Sequence, residues 1–183
     1  MGLIITDGRS GKTAGVSGNN RLNVSSRSAA RAYYNARFDG QAYAWAALTY
    51  DYDIDDTILL VKNTSSSLQL HIHAIWLGGN VAGKVIIHRP TTVVATPAGT
   101  AVVGTNLNGS SNNVADAVAK ADETTNALGD TIFRVRMPAD DTLEIHTDDI
   151  ITLAQNQSLA VDFGVEGAAC QATIWGYFET LDA

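Results

Sequence analysis

The alternation of side chains between Leu68 and Leu77 constrains the fold of this chain more than any other feature. A β-strand points successive side chains to opposite faces of its sheet, so a period of two predicts a strand with one buried face. The two sets are Leu68, Leu70, Ile72, Ala74 and Trp76 on the apolar face, and Gln69, His71, His73 and Ile75 on the other. The polar residues 62–67 connect this strand to the apolar run 58–61, which predicts a loop or hairpin turn between antiparallel strands.

Most of the chain after residue 40 has the pattern of further short strands separated by turn residues. The expected strands cover residues 84–89, 91–96, 100–107, 131–137, 143–146, 150–153, 158–163 and 169–178. Residues 114–121 fit a strand or a helix, and the strands on both sides favour a strand. Residues 108–113, with the sequence NGSSNN, predict an exposed turn. Short strands at regular spacing predict an all-β sandwich or barrel over residues 41–183.

Residues 1–40 differ in charge from the rest and are predicted to form a separate N-terminal arm. They contain six basic and two acidic residues, a net charge of +4, whereas the remaining six basic and seventeen acidic residues give −11. The basic residues are Arg9, Lys12, Arg21, Arg27, Arg31 and Arg37, and Leu22 lies in a short strand-like run beside Arg21. We expect this arm to dock on an acidic surface, such as a neighbouring copy of the body. A body this acidic is a poor match for nucleic acid.

Six of the thirteen aromatic residues lie between positions 33 and 50. Tyr33, Tyr34 and Phe38 belong to a predicted short helix over residues 29–38, which Ser28 caps and Gly40 ends. The aromatic residues pack in the core where the arm meets the body, or they form a contact surface for a partner.

The motifs that would indicate catalysis or nucleotide binding are incomplete. The segment DGRSGKT at residues 7–13 has Thr6 where a phosphate-binding loop needs glycine. The acidic residues 51–56 lack the glycine and glutamate of a calcium-binding loop. No Gly-x-Ser-x-Gly motif is present, and the acidic residues 140–149 have no aromatic platform at recognisable spacing. We expect no enzymatic activity, no catalytic residue and no cofactor.

His71 and His73 resemble the paired histidines of the cupin metal motif. The glutamate that follows them in cupins is missing from residues 74–79, so no metal ligand is assigned here. We expect the two histidines to lie at a surface or an interface, where protonation near pH 6 would affect assembly. The single cysteine, Cys170, excludes an intrachain disulfide and is predicted to be a small core residue.

Several motifs together resemble virion proteins of tailed bacteriophages. They are Asp7-Gly8 with the following Gly-rich run, Asn19-Asn20-Arg21-Leu22-Asn23-Val24, the aromatic-rich residues 33–45, ILLVKN at 58–63, GTNLNGS at 104–110 and NQSL at 156–159. The resemblance is to the capsid decoration proteins, also called cement or head-stabilising proteins. It implies a jelly-roll β-sandwich, typically trimeric, that binds the lattice of the major coat protein, and it implies no catalytic residue.

The expected function is therefore that of a structural virion protein on the capsid exterior, made in the host cytoplasm. Its partners would be the major capsid protein and further copies of this chain, in a homotrimer. No run approaches the roughly twenty apolar residues that cross a membrane, and no signal peptide is visible. The alternative is a tail-fibre or host-adhesion module that binds surface glycan through residues 108–113 or 51–56, because fold alone does not separate the two functions.

Overall fold

The computed structural model of the chain describes residues 31–49, 57–90, 99–123, 129–164 and 169–180. They contain one short helical segment, formed by helix α1 (Arg31–Tyr34) and a π-helical turn (Asn35–Asp39). Eleven strands follow: β1 (Ala42–Thr49), β2 (Thr57–Asn63), β3 (Leu68–Gly79), β4 (Gly83–Arg89), β5 (Thr100–Val102), β6 (Thr105–Asn106), β7 (Ala117–Glu123), β8 (Asp130–Met137), β9 (Asp141–Leu153), β10 (Ser158–Phe163) and β11 (Cys170–Thr180). All described residues belong to one compact unit, Arg31–Ala183.

The strands form two antiparallel sheets, which confirms the predicted all-β sandwich. One sheet has the order β6-β1-β11-β3-β9 and the other has the order β5-β7-β2-β10-β4-β8. Four pairs are nested along the chain: β1 with β11, β2 with β10, β3 with β9, and β4 with β8. Successive pairs alternate between the two sheets, as in a long hairpin rolled up on itself. This is the jelly-roll arrangement of two facing sheets.

Of the two alternatives predicted for residues 62–67, the hairpin turn is wrong and the loop is correct. Strands β2 and β3 lie in different sheets, so the polar link is a loop that crosses between them. Asn63 stabilises this loop, because its side-chain amide donates to the carbonyl oxygens of Leu68 (3.0 Å) and Leu153 (2.8 Å). Its side-chain oxygen accepts from the Ser65 N–H at 2.8 Å. A buried asparagine with these partners satisfies its own polar atoms and those of the loop.

The core lies between the sheets. Its largest fully buried side chains include Tyr43, Trp45, Phe163 and Phe178. Burying one large apolar side chain contributes about 1.5–3 kcal/mol to folding. Cys170 is part of the core, as predicted, and burial raises the pKa of its thiol to about 11. Burial also raises the pKa of Tyr43, with a smaller contribution from the carboxylate of Asp116.

A buried polar network stabilises the six-stranded sheet. Asp162 Oδ1 accepts a hydrogen bond from the Thr57 hydroxyl at 2.8 Å, and Asp162 Oδ2 lies 2.7 Å from His88 Nε2. The other ring nitrogen of His88 accepts from the Gly129 N–H at 3.2 Å. His88 is completely buried, and a buried carboxylate without such partners would be costly. This network therefore has a structural role.

A β-bulge in β3 overturns the predicted sidedness of that strand. Ile72 pairs with Gly176 of β11, and Ala74 pairs with the preceding residue, Trp175, so His73 is an extra residue. Because one extra residue reverses the alternation, Ile75 joins the core. Its neighbour Trp76 points away from the core and is 45% exposed. The expectation that Ala74 and Trp76 share a face with Leu70 and Ile72 is thus wrong.

Other boundaries also differ from the predictions. The segment 114–121, for which a strand was favoured, overlaps strand β7, and the predicted strands 143–146 and 150–153 are parts of the single strand β9. The predicted strand 100–107 divides into β5 and β6, which belong to different sheets. The predicted strand 91–96, the acidic run 51–56 and most of the arm lie outside the described residues. The arm–body boundary at residue 40 stays a prediction.

Candidate functional site

The helical segment carries an exposed aromatic cluster, which we call the helical cluster: Tyr33, Tyr34, Arg37 and Phe38. The three aromatic side chains are about half exposed, at 51%, 51% and 53%. The rings of Tyr34 and Phe38 lie 5.0 Å apart. The Arg37 guanidinium lies 5.9 Å and 5.8 Å from the ring centroids of Tyr33 and Phe38, within the range of cation–π attraction. It also donates to the Tyr33 hydroxyl at 3.0 Å.

Strand β6 and the loop after it form hydrogen bonds to the backbone of the helical segment. Asn106 donates to the carbonyl of Gly40 at 2.9 Å, and Asn108 donates to that of Arg37 at 3.2 Å. Asn113 donates to the carbonyl of Asp39 at 3.2 Å. These are carbonyls at the end of a helical segment, where intrahelical partners run out. The loop predicted as an exposed turn is therefore the cap of this segment.

Gly40 ends the helical segment in the left-handed conformation, with φ +60°, as predicted. A β-carbon at this position would lie 2.4 Å from Ser111 Oγ. Both the backbone conformation and the contact require glycine. The end of the helical segment is thus packed tightly against the loop that contains Ser111.

The aromatic residues between positions 33 and 45 were predicted either to pack in the core or to form a contact surface, and the structure shows both buried and exposed members. Tyr43 and Trp45 are core residues, whereas Tyr33, Tyr34 and Phe38 are exposed. Of the basic residues proposed to bind a partner, Arg37 is in the helical cluster and Arg31 begins α1. Arg9, Lys12, Arg21, Leu22 and Arg27 lie outside the described residues.

His71 and His73 each interact with a separate carboxylate. His71 stacks on Tyr177 with the ring centroids 5.1 Å apart, and its Nε2 lies 3.9 Å from Glu179. His73 lies on the bulge, where its Nδ1 is 2.9 Å from Asp149 Oδ1. Among the residues that the structure describes, no group of three or more His, Cys, Asp or Glu side chains is placed to hold a metal ion.

A second exposed surface lies on the outer face of the five-stranded sheet, the face that points away from the core. Trp76 and Trp175 stack there with ring centroids 5.3 Å apart and an angle of 28° between the planes. Trp76 pairs with Thr173 on one side and Glu144 on the other, while Ala74 pairs with Trp175 and His146. The residues beside the two indoles are thus mostly polar. We call the indoles and these polar neighbours the tryptophan platform: Trp76, Trp175, Glu144, His146 and Thr173.

An open cleft of about 330 Å³ adjoins the tryptophan platform. Its lining includes Gly78, Asn80, Asp141, Thr142 and Gln171. Gln171 and Thr142 are the cross-strand partners of Gly78, which lies two residues beyond Trp76 on the same face of the sheet. A β-carbon on Gly78 would lie 2.7 Å from Gln171 Nε2, so the Gln171 side chain lies across this glycine. Leu48 and Ala169 also line it, so the cleft combines apolar and hydrogen-bonding groups.

Sequence reasoning missed the tryptophan platform because it assigned Trp76 to the core. A signal was present: the alternation within residues 170–178 puts Trp175 on the same side as Gln171 and Thr173, opposite Cys170, Ala172 and Ile174. The asparagine cap was also missed, since a turn signal does not indicate which carbonyls the turn will meet.

Comparisons with protein-family models, curated proteins and solved structures give no match for this chain. Within the described ranges, no helix is both long enough and apolar enough to cross a membrane.

Proposed function

We propose that this chain is a structural virion protein that decorates a phage capsid and stabilises it by binding the major coat protein lattice as a homotrimer. The motif resemblance described above supports this function. The observation that carries it is the helical cluster, an exposed set of aromatic residues and an arginine fixed on a rigid scaffold. Tyr and Arg are among the residue types most enriched at the energetically dominant positions of protein interfaces.

The rigidity of the cluster favours a contact surface. Loose aromatic side chains lose conformational freedom when they bind, whereas pre-ordered ones lose less. The asparagine bonds to the carbonyls of Arg37, Asp39 and Gly40 fix the backbone beneath the rings. The ring contacts and the Arg37–Tyr33 hydrogen bond order the side chains above it.

The charge distribution supports a second contact. The +4 arm and the −11 remainder of the chain are electrostatically complementary. An arm that reaches a neighbouring copy, or an acidic part of the shell, would add to the cluster contact. Because many copies bind one lattice, each contact can be weak while the assembled layer is stable.

The test uses purified capsid shells that lack this protein. Full-length protein is added to the shells, which are pelleted, and the occupancy per coat subunit is measured. We expect the Tyr34→Ala/Phe38→Ala variant to reduce occupancy at least tenfold at a fixed concentration. Deletion of residues 1–27 should abolish attachment while the β body stays folded. The matched control is Ile150→Ala, which removes an apolar side chain from another exposed site.

Circular dichroism and thermal unfolding establish that each variant is folded. Wild-type occupancy by both the double variant and the deletion would refute the proposal. Sedimentation equilibrium of the free protein tests the trimer in solution. A protein that is monomeric at all concentrations in solution and also bound to the shell as separate monomers would refute the homotrimer.

A further inference from the structure

We infer that the tryptophan platform and its adjoining cleft form a binding site for a neutral glycan. This inference does not depend on capsid attachment. It places a glycan site on the outer face of the five-stranded sheet, and not on the loops considered from sequence alone.

The indoles provide the apolar half of such a site. A sugar ring has a face of C–H groups that packs well on a flat aromatic ring, and burying this face removes apolar area from water. Trp76 remains 45% exposed. Its stack with Trp175 fixes both rings at a centroid distance of 5.3 Å. The exposed parts of the two stacked indoles form one continuous aromatic surface on which a sugar can pack.

The neighbouring side chains provide the polar half. Gln171 lies across Gly78 at the edge of the cleft, and its amide can both donate and accept hydrogen bonds. Thr173 lies directly beside Trp76 in the adjacent strand, and Glu144 is on the other side. Hydroxyl groups of a sugar need donors and acceptors in this mixed arrangement. Ligand sites typically combine aromatic surfaces with a few such polar groups.

The cleft gives the site a defined end. Its volume of about 330 Å³ is at the lower end of the range for small-molecule pockets, roughly 300–1,000 Å³. Gly78 and its cross-strand partner Gln171 line the cleft, and they are the next residues along the outer face of the sheet after Trp76 and Thr173. A glycan can therefore place one sugar in the cleft and continue over Trp76 towards Trp175.

The charges of this sheet select a neutral ligand. Strands β1, β3, β6, β9 and β11 contain no Lys or Arg. Glu144 lies 2.7 Å from His146 Nε2, so it has a partner on the same face. A nucleic acid, a phosphate or a sulfated glycan would meet carboxylates and no fixed cation. A self-complementary contact of two copies across Glu144 would bring like charges together.

The test is a glycan array printed with neutral bacterial O-chains, capsular polysaccharides, peptidoglycan fragments, dextran and mannan, probed with the full-length protein. Tryptophan fluorescence titration with the strongest glycan then gives the affinity. We expect binding to weaken at least tenfold in Trp76→Ala and several-fold in Gln171→Ala. Trp76→Phe should retain most of the affinity because it keeps an aromatic face. Ile150→Ala is the exposed apolar control.

Protection from oxidation by N-bromosuccinimide provides a readout that needs no variant. Of the three tryptophans, Trp45 is fully buried, so oxidation of the native protein should report on the platform, and the bound glycan should slow it. A blank array with wild-type protein would overturn the inference. So would binding that Trp76→Ala leaves unchanged, or binding restricted to anionic glycans. Dissociation of the oligomer by Trp76→Ala, without glycan binding by the wild type, would identify the face as a self-interface and also overturn the inference.

Discussion

Trp76 and Trp175 stack on the outer face of the five-stranded sheet because one extra residue, His73, reverses the sidedness of β3. Before the bulge, Leu70 and Ile72 face the core, and after it Ile75 does so. The bulge therefore converts an indole that would be buried into an exposed ring 5.3 Å from its partner. β-Bulges are known to redirect side chains in this way.

Thr147 should be essential for this bulge. Its buried hydroxyl contacts the carbonyl oxygens of Ile72 and His73, which lie where the strand pairing is irregular. We expect Thr147→Val to lower the free energy of unfolding by about 1–3 kcal/mol, since it removes the donor but keeps the shape. Denaturant unfolding measures this change. Thr147→Ser, which keeps the hydroxyl, should lose much less, and equal stability of the Val variant and wild type would contradict the role.

Gly104 should not tolerate a side chain. It follows β5, where the chain passes to the other sheet, and a β-carbon there would lie 2.6 Å from Nε1 of the buried Trp45. Because the indole is fixed in the core, Gly104→Ala should destabilise the protein by about 1–3 kcal/mol in thermal or denaturant unfolding. Gly109→Ala is the matched control, because nothing lies within 4 Å of its added carbon. Equal effects of the two substitutions would show that this contact is not tight.

Asn106 should link the loop to the helical cluster. Its amide donates to the carbonyls of Gly40 (2.9 Å) and Asn113 (3.0 Å). We expect Asn106→Ala to cost about 1–3 kcal/mol of stability and to increase hydrogen exchange in residues 37–41. It should also weaken attachment to capsid shells, although it removes no contact residue. Asn112→Ala, at an exposed position of the same loop, should change neither property.

Cys170 should make the free energy of unfolding decrease as the pH rises in the alkaline range. Burial raises the pKa of its thiol from 9.0 to about 11 in the folded protein. Between these values the unfolded chain has released the thiol proton and the folded chain has kept it. Stability is therefore constant below pH 9 for this group and falls as the pH rises towards 11. Cys170→Ala should show a smaller alkaline decrease, measured by denaturant unfolding at pH 8 and 10.5, and an equal decrease would contradict this assignment.

The same burial should make the thiol unreactive. Labelling by a disulfide reagent at pH 8 is expected to be slow in the folded state, because the thiolate is the reactive form and the sulfur is buried. The rate should rise to that of a free thiol in denaturant. Rapid labelling of the native protein would show that the sulfur is accessible.

The sequence predicted the class of fold well because periodicity and turn residues carry that information locally. The alternation in β11 correctly separated Cys170, Ala172 and Ile174 from Thr173 and Trp175. The alternation in β3 failed after residue 73, because a bulge depends on the neighbouring strands, and four residues of β9 lie opposite His73. The polar link at 62–67 indicated a turn but not the sheet in which the next strand lies. Such features are set by tertiary contacts.

The candidate surfaces were only partly predictable for the same reason. Aromatic density between residues 33 and 50 indicated a contact region, but only the fold separates exposed Tyr33 from buried Tyr43. The two histidines of β3 were expected at a surface, and their distinct carboxylate partners come from the adjacent strands β11 and β9, which are distant in sequence.

The measurement that tests the central proposal most directly is the copy number of this protein in purified virions, relative to the major coat protein. Quantitative mass spectrometry with labelled peptides of both proteins provides it. A capsid decoration protein is predicted to be present in a number comparable to the coat protein. A handful of copies would place it in the tail or portal, and its absence from virions would remove the virion assignment; either result contradicts the proposed function.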